Sequence, residues 1–102
     1  MRAEPLAEPL AEPLAEPLYE YAVEFRLPGL RHLPAGRALE LAAAFGSALD
    51  QAVPDVRVVR TSVAALGVRC VCVATDGLAV RGAARRAHLA PDSVFELGPA
   101  TA

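Results

Sequence analysis

Four consecutive copies of Ala-Glu-Pro-Leu occupy Ala3 to Leu18, and the repetition ends at Tyr19. Each copy carries a proline, which lacks a backbone donor and clashes inside a continuing helix, so regular α-helix is excluded across the repeat. The glutamates that precede Pro5, Pro9, Pro13 and Pro17 are biased toward extended or polyproline II geometry by the following ring. The sequence therefore predicts an acidic tail over residues 1–18, disordered or polyproline II, and a single small domain over 19–102. Extended at about 3.1 Å per residue, the sixteen repeat residues would reach roughly 50 Å. Such a tail can act as a passive spacer or as a proline-rich ligand for a grooved partner.

Charge follows the same division. Residues 1–18 hold Arg2 against Glu4, Glu8, Glu12 and Glu16, net −3, whereas residues 19–102 hold nine arginines against eight acids, net +1. A domain so nearly balanced lacks the basic excess of non-specific nucleic-acid binding, and nucleic acid is not the expected partner. The chain has no lysine, asparagine, isoleucine or tryptophan, a pattern we read as codon bias, which makes arginine the only long cation available. The opening residues lack the apolar stretch of a signal peptide, and no run approaches the roughly 20 apolar residues of a membrane span. The expectation is a cytoplasmic protein with reduced thiols.

The domain opens on Tyr19-Glu20-Tyr21-Ala22-Val23-Glu24-Phe25-Arg26-Leu27, whose period of two predicts a half-buried strand with Tyr19, Tyr21, Val23, Phe25 and Leu27 on one face. Pro28-Gly29 ends it, and residues 30–36 read as a loop. From Arg37 the spacing of Ala38, Leu41, Ala42, Phe45, Leu49, Ala52 and Val53 predicts an amphipathic helix that stops before Pro54. Residues 55–63 and 68–75, rich in valine and threonine, predict two strands joined by Ala64-Ala65-Leu66-Gly67. Asp76-Gly77 carries two incompatible signals, an N-cap for a helix over about 78–89 or a tight turn into a strand; the helix formers of residues 83–89 favour the former. Ser93 to Leu97 predicts a last short strand.

Strand, helix, strand, strand, helix, strand resembles the ferredoxin-like superfold by element order alone. The resemblance implies an α+β, βαββαβ sandwich with a four-stranded antiparallel sheet and both helices on one face. It implies no chemistry, because a superfold of this kind hosts many activities.

Helices of such a fold cover one sheet face, yet both sides of the valine-rich strands read as apolar. Val68, Cys70, Cys72 and Ala74 alternate with Arg69, Val71, Val73 and Thr75, and Val56 and Val58 alternate with Val59 and Val63. An uncovered apolar face marks a contact surface. A self-association face drawn from Val56, Val58, Val59, Val63, Val71 and Val73 is expected, giving a homodimer. Chance, given the abundance of alanine and valine, is the competing reading.

Other candidates are weaker. Cys70-x-Cys72 has the wrong spacing for a disulfide on a strand and matches no zinc motif, so buried reduced cysteines and no metal are expected. Arg81, Arg85, Arg86 and His88 form the one basic cluster, able to hold an anion if helical or simply to face solvent near a helix C-terminus. Arg31 and His32 sit in a loop where a functional side chain could be presented, with no carboxylate or hydroxyl partner evident. Tyr19, Tyr21 and Phe25 read as packing, not as a base-stacking platform, since the third strand has no aromatic. The sequence thus supports a small non-catalytic interaction or ligand-binding module, with no cofactor, self-associating through its sheet and open to a small anionic or apolar ligand. The alternatives are a cofactor-free enzyme or ligand carrier of dimeric α+β barrel type, using His32, His88 or an arginine, and single-stranded nucleic-acid binding through Arg81, Arg85 and Arg86.

Overall fold

The computed structural model describes residues 17–100, so the predicted tail lies, but for its last two residues, outside the described residues. Strand β1 (Tyr19–Arg26) leads through a 3-10 turn at Leu30–His32 to helix α1 (Ala35–Ala52). Strands β2 (Arg57–Ala64) and β3 (Gly67–Ala74) form a hairpin, followed by helix α2 (Gly77–Arg86) and strand β4 (Ser93–Pro99). The chain is an α+β protein with one four-stranded sheet in the order β2-β3-β1-β4, every neighbouring pair antiparallel.

One face of this sheet makes the core. Tyr21, Val23 and Phe25 of β1 and Val68, Cys70, Cys72 and Ala74 of β3 are buried against Leu30, Ala38, Ala42 and Leu49 on one side and Val80, Ala83 and Ala84 on the other. Tyr19 and Leu27 pack at its margin, as the period of β1 predicted. Phe25 meets Phe45 edge to face at 4.8 Å between ring centroids, a favoured geometry for aromatic pairs. The three β1 aromatics therefore face the helices and are not displayed for stacking.

Helix α1 starts two residues before the predicted Arg37, because Pro34 can occupy the N-cap and its fixed φ leads into the first turn. Gly46 in its middle has a structural reason beyond tolerance: a Cβ there would overlap the Thr61 methyl, so its absence lets α1 lie close on β2. Asp50, one turn later, accepts from the backbone N–H of Val58 at 2.8 Å and ties the same two elements.

The ambiguity at Asp76-Gly77 resolves as a helix. Asp76 is extended, and its Oδ1 accepts from the Ala79 N–H at 2.8 Å, satisfying one of the orphan donors of the first turn. The other end closes with His88 N–H donating to the Arg85 carbonyl and Leu89 N–H to the Ala84 carbonyl, the two bonds of a Schellman motif. His88 takes the left-handed position of that motif, φ 60°, where glycine is usual. Helix α2 thus ends earlier than the predicted Leu89, at Arg86. No helix among the described residues is long and apolar enough to cross a membrane.

Candidate functional site

Register decides what the second face of the sheet displays. Tyr21, Val23 and Phe25 sit opposite Cys72, Cys70 and Val68 on the helix side, so Glu20, Ala22 and Glu24 must share the other side with Val73, Val71 and Arg69. On β4, Phe95 lies opposite Ala22 and Ser93 opposite Glu24. On β2, Arg57 lies opposite Val73, Arg60 opposite Val71 and Ser62 opposite Arg69. Across the strands in the order β2-β3-β1-β4, the open face therefore has a central row Arg60, Val71, Ala22, Phe95. A row Arg57, Val73, Glu20, Gly98 lies on one side of it and a row Ser62, Arg69, Glu24, Ser93 on the other.

The six valines predicted to form one contact face are divided between two. Val56 is in the core and Val58 packs against it, and Val63, opposite Val68, shares the helix side. Val71 and Val73 are on the open side. The cause is a bulge between Val58 and Arg60, which inserts Val59 as an extra residue and reverses the alternation of β2 from that point. Val59 itself is exposed.

Ala22 and Val71 are buried, at 0% and 4% exposure, yet neither belongs to the cluster that the helices cover. Long charged side chains lie beside them. Arg60 on β2 reaches Glu20 on β1 at 3.9 Å, an ion pair that must span the intervening β3 between Val71 and Val73. Arg69 donates from Nε and Nη2 to Oε2 of Glu24, and its guanidinium lies 5.8 Å from the centroid of the Phe95 ring, across β1 beside Ala22. Ser93 Oγ completes the group by donating to Glu24 Oε1 at 3.1 Å. The Arg69 hydrogen bonds hold the Glu24 carboxyl below its ordinary pKa, with Ser93 helping. The open face is thus a shallow apolar floor framed by ion pairs, with Phe95 exposed at 40% beside it.

Where β1 ends, the open face deepens into a cleft of about 590 Å³ lined by Glu24, Phe25, Arg26, Ala64 to Val68, Asp92 and Ser93. Its floor is held by the Arg26 N–H donating to Asp92 Oδ2 and the Asp92 N–H donating to the Glu24 carbonyl.

The remaining candidates lie elsewhere. Arg81 and Arg85 sit one turn apart on α2 and, with Ala84, Leu89 and Pro91, line a depression of about 240 Å³. Arg86 and His88 are nearby but do not line it. Arg31 and His32 occupy the exposed end of the 3-10 turn. Arg31 lines a small groove with Leu27, Pro28, Ala65 and Leu66. Cys70 and Cys72 are free thiols in the core, pushed up to about 11 and about 12 by burial. Among the described residues no group of three or more histidines, cysteines and acids is placed to hold a metal.

Sequence reasoning missed Glu20, Glu24, Arg60, Arg69, Ser93 and Phe95. Their signal was available in part, since glutamates at every fourth residue of an alternating strand fall on one face, but which arginines meet them depends on strand register. Compared with known protein families, characterised proteins and solved structures, the chain matches none.

Proposed function

We propose that this chain is a small cytoplasmic interaction module with a ferredoxin-like βαββαβ topology, which self-associates through the open face of its sheet and is preceded by an acidic polyproline-like tail. The topology reading rests on the element order together with the sheet order β2-β3-β1-β4, the arrangement expected of two interleaved βαβ halves. The contact reading rests on one observation: Phe95, 40% exposed, and Val73 lie on a face that neither helix packs against, beside an apolar floor of Ala22 and Val71. Apolar residues gathered at the centre of a surface and ringed by charge are the anatomy of a protein contact.

Light scattering on the full chain at about 100 µM tests the proposal. A mass twice that of the 10.7 kDa chain supports it, and a monomer removes it.

The cleft at the end of the face supports a second role, the holding of a small ligand with an apolar body and one polar end. Its volume is in the range of small-molecule sites, and Phe25, Leu66 and Val68 stand beside the Glu24, Asp92 and Arg26 polar groups. A panel of small carboxylic acids and alcohols titrated into ¹⁵N-labelled protein would move the amides of residues 64–68 and 92–93 if this role is real. Shifts confined to α2 would assign binding to Arg81 and Arg85 instead.

A further inference from the structure

Resting on the reading that the open face pairs with a second copy, we infer the orientation of that pair: a two-fold axis runs along the strands, between β1 and β3, and lays each β3 over the partner's β1 and each β2 over the partner's β4.

The argument is charge complementarity, row by row. A two-fold axis that keeps the strands of two packed sheets nearly aligned runs close to the strand direction or across it. An axis along the strands keeps every row and reverses the strand order. In the central row, Val71 then meets the partner's Ala22 and Arg60 meets the partner's Phe95. In the next row, Arg69 meets the partner's Glu24 and Ser62 meets the partner's Ser93. In the third row Arg57 meets the partner's Gly98 and Val73 meets the partner's Glu20, the one mismatch, whereas the meetings of the other two rows are small apolar on apolar, cation on aromatic, cation on carboxylate, and hydroxyl on hydroxyl. An axis across the strands through the central row does the reverse: it keeps the strands and exchanges the rows. Glu20 then meets the partner's Glu24, twice by symmetry, and Arg60 meets the partner's Arg60. Like charges brought together in a desolvated contact are destabilising, so the second orientation is disfavoured.

Three further features agree. The sheet has four strands, so an axis between β1 and β3 passes through its centre and leaves no strand without a partner. Packed sheets cross at about 30°, which keeps the central row aligned best, and that row carries the apolar pair. Arg60 and Arg69 already reach across the sheet to Glu20 and Glu24, so turning Arg69 to the partner's Glu24, or Arg60 to the partner's Phe95, moves a side chain and not the backbone. Four strands about 4.8 Å apart and eight residues long present about 500 Å² of flat face each, or roughly 1,000 Å² for the pair. That is the low end of a specific interface, and it points to a dimer that dissociates on dilution.

The test uses residues exposed on the face, so that folding is not at stake. Phe95→Arg sets an arginine against the partner's Arg60, and Arg60→Glu sets a glutamate against the partner's Phe95. In the inferred orientation, Phe95→Arg alone is monomeric at a concentration where the wild type is dimeric, and Arg60→Glu alone dimerises more weakly. Mixed in equal amounts, they form a heterodimer at least tenfold tighter than either homodimer, because the new arginine meets the new glutamate across the contact. Sedimentation velocity with one variant fluorescently labelled reads all three states. A monomeric wild type, or a dimer indifferent to Phe95→Arg, overturns the sheet-face reading itself. Loss of the dimer with Phe95→Arg and no recovery on mixing leaves that reading standing and overturns the orientation. Recovery of that first pair on mixing also follows from an axis across the strands, which sets the unchanged Arg60 of one variant against the Arg60→Glu site of the other. The orientation is therefore decided by mixing Glu24→Arg with Arg69→Glu, whose new charges meet only when the axis runs along the strands. Recovery of the dimer on mixing that second pair supports the orientation, and its absence overturns it.

Discussion

Arg69 on β3 grips Glu24 on β1 with two hydrogen bonds to a single carboxylate oxygen, tying the two central strands together on the side away from the helices. The pair is partly exposed, so its contribution is modest, and replacing Glu24 with glutamine should cost no more than about 1 kcal/mol. The sign with pH is fixed. The folded carboxyl titrates below the ordinary glutamate value of 4.5, so the stabilisation is fully present above pH 4.5 and disappears as pH falls through the folded pKa. Urea midpoints of the wild type and Glu24→Gln should therefore differ at pH 7 and converge near pH 3. A difference that persists at low pH would show that the pair acts by packing and not by charge.

At Gly67 the margin is far narrower. A Cβ there would run into the carbonyl of Phe25, a backbone atom in the facing strand that cannot step aside without opening the β1–β3 ladder. Gly67→Ala should cost about 3 kcal/mol, by the overpacking route. Gly82 supplies the contrast: it lies inside α2 with nothing within 4 Å of its missing Cβ. There alanine should stabilise by roughly 0.5–1 kcal/mol through helix propensity and the unfolded-state entropy. Thermal or urea unfolding of the two variants should move in opposite directions.

The contrast between these glycines also separates what the sequence could reveal from what it could not. Periodicity sees one element at a time. It placed Tyr21, Val23 and Phe25 on a buried face and found the apolar stripe of α1, because alternation and a 3.6-residue repeat are local properties. The choice at Asp76 was legible too, through the helix formers that follow it. What resisted reading was relational. The bulge at Val59 lies between Val58 and Arg60 and leaves no local signature, yet it sends Val63 to the helix side. Gly46 read as a tolerated defect because its value is set by Thr61, fifteen residues on. The Glu24–Arg69 pair needed the register of β1 on β3, and strand pairing is fixed by the whole core and not by either strand.

His88 closes α2 in the left-handed region, at φ 60°, although it has a Cβ that this conformation crowds. A non-glycine residue there costs about 1 kcal/mol relative to glycine. His88→Gly should therefore raise stability by about that amount, while His88→Val, branched at Cβ, should lower it. Both are read from unfolding midpoints. If glycine leaves stability unchanged, the imidazole makes a compensating contribution, and the site would merit the functional attention that its neighbours Arg81 and Arg85 invite.

The two thiols provide a test of the core from inside. Burial raises Cys70 to about 11 and Cys72 to about 12, with the neighbouring Cys70 thiol and Asp50 adding to the rise at Cys72. Only the thiolate attacks a disulfide reagent, and at pH 8 about one Cys70 in a thousand and fewer still of Cys72 would be ionised. Ellman's reagent should accordingly find no fast-reacting group in the native protein and two per chain in urea, the native rate reporting the opening of the sheet. Alkali should expose the same asymmetry. In the unfolded chain both thiols ionise near pH 9, whereas the folded chain retains their protons, so the folded state binds more protons between about pH 9 and the folded values. Stability must then fall as pH rises through that window, and Cys70→Ser/Cys72→Ala should flatten the slope. A native thiol that reacts promptly at pH 8 would mean that the helix-covered face opens locally.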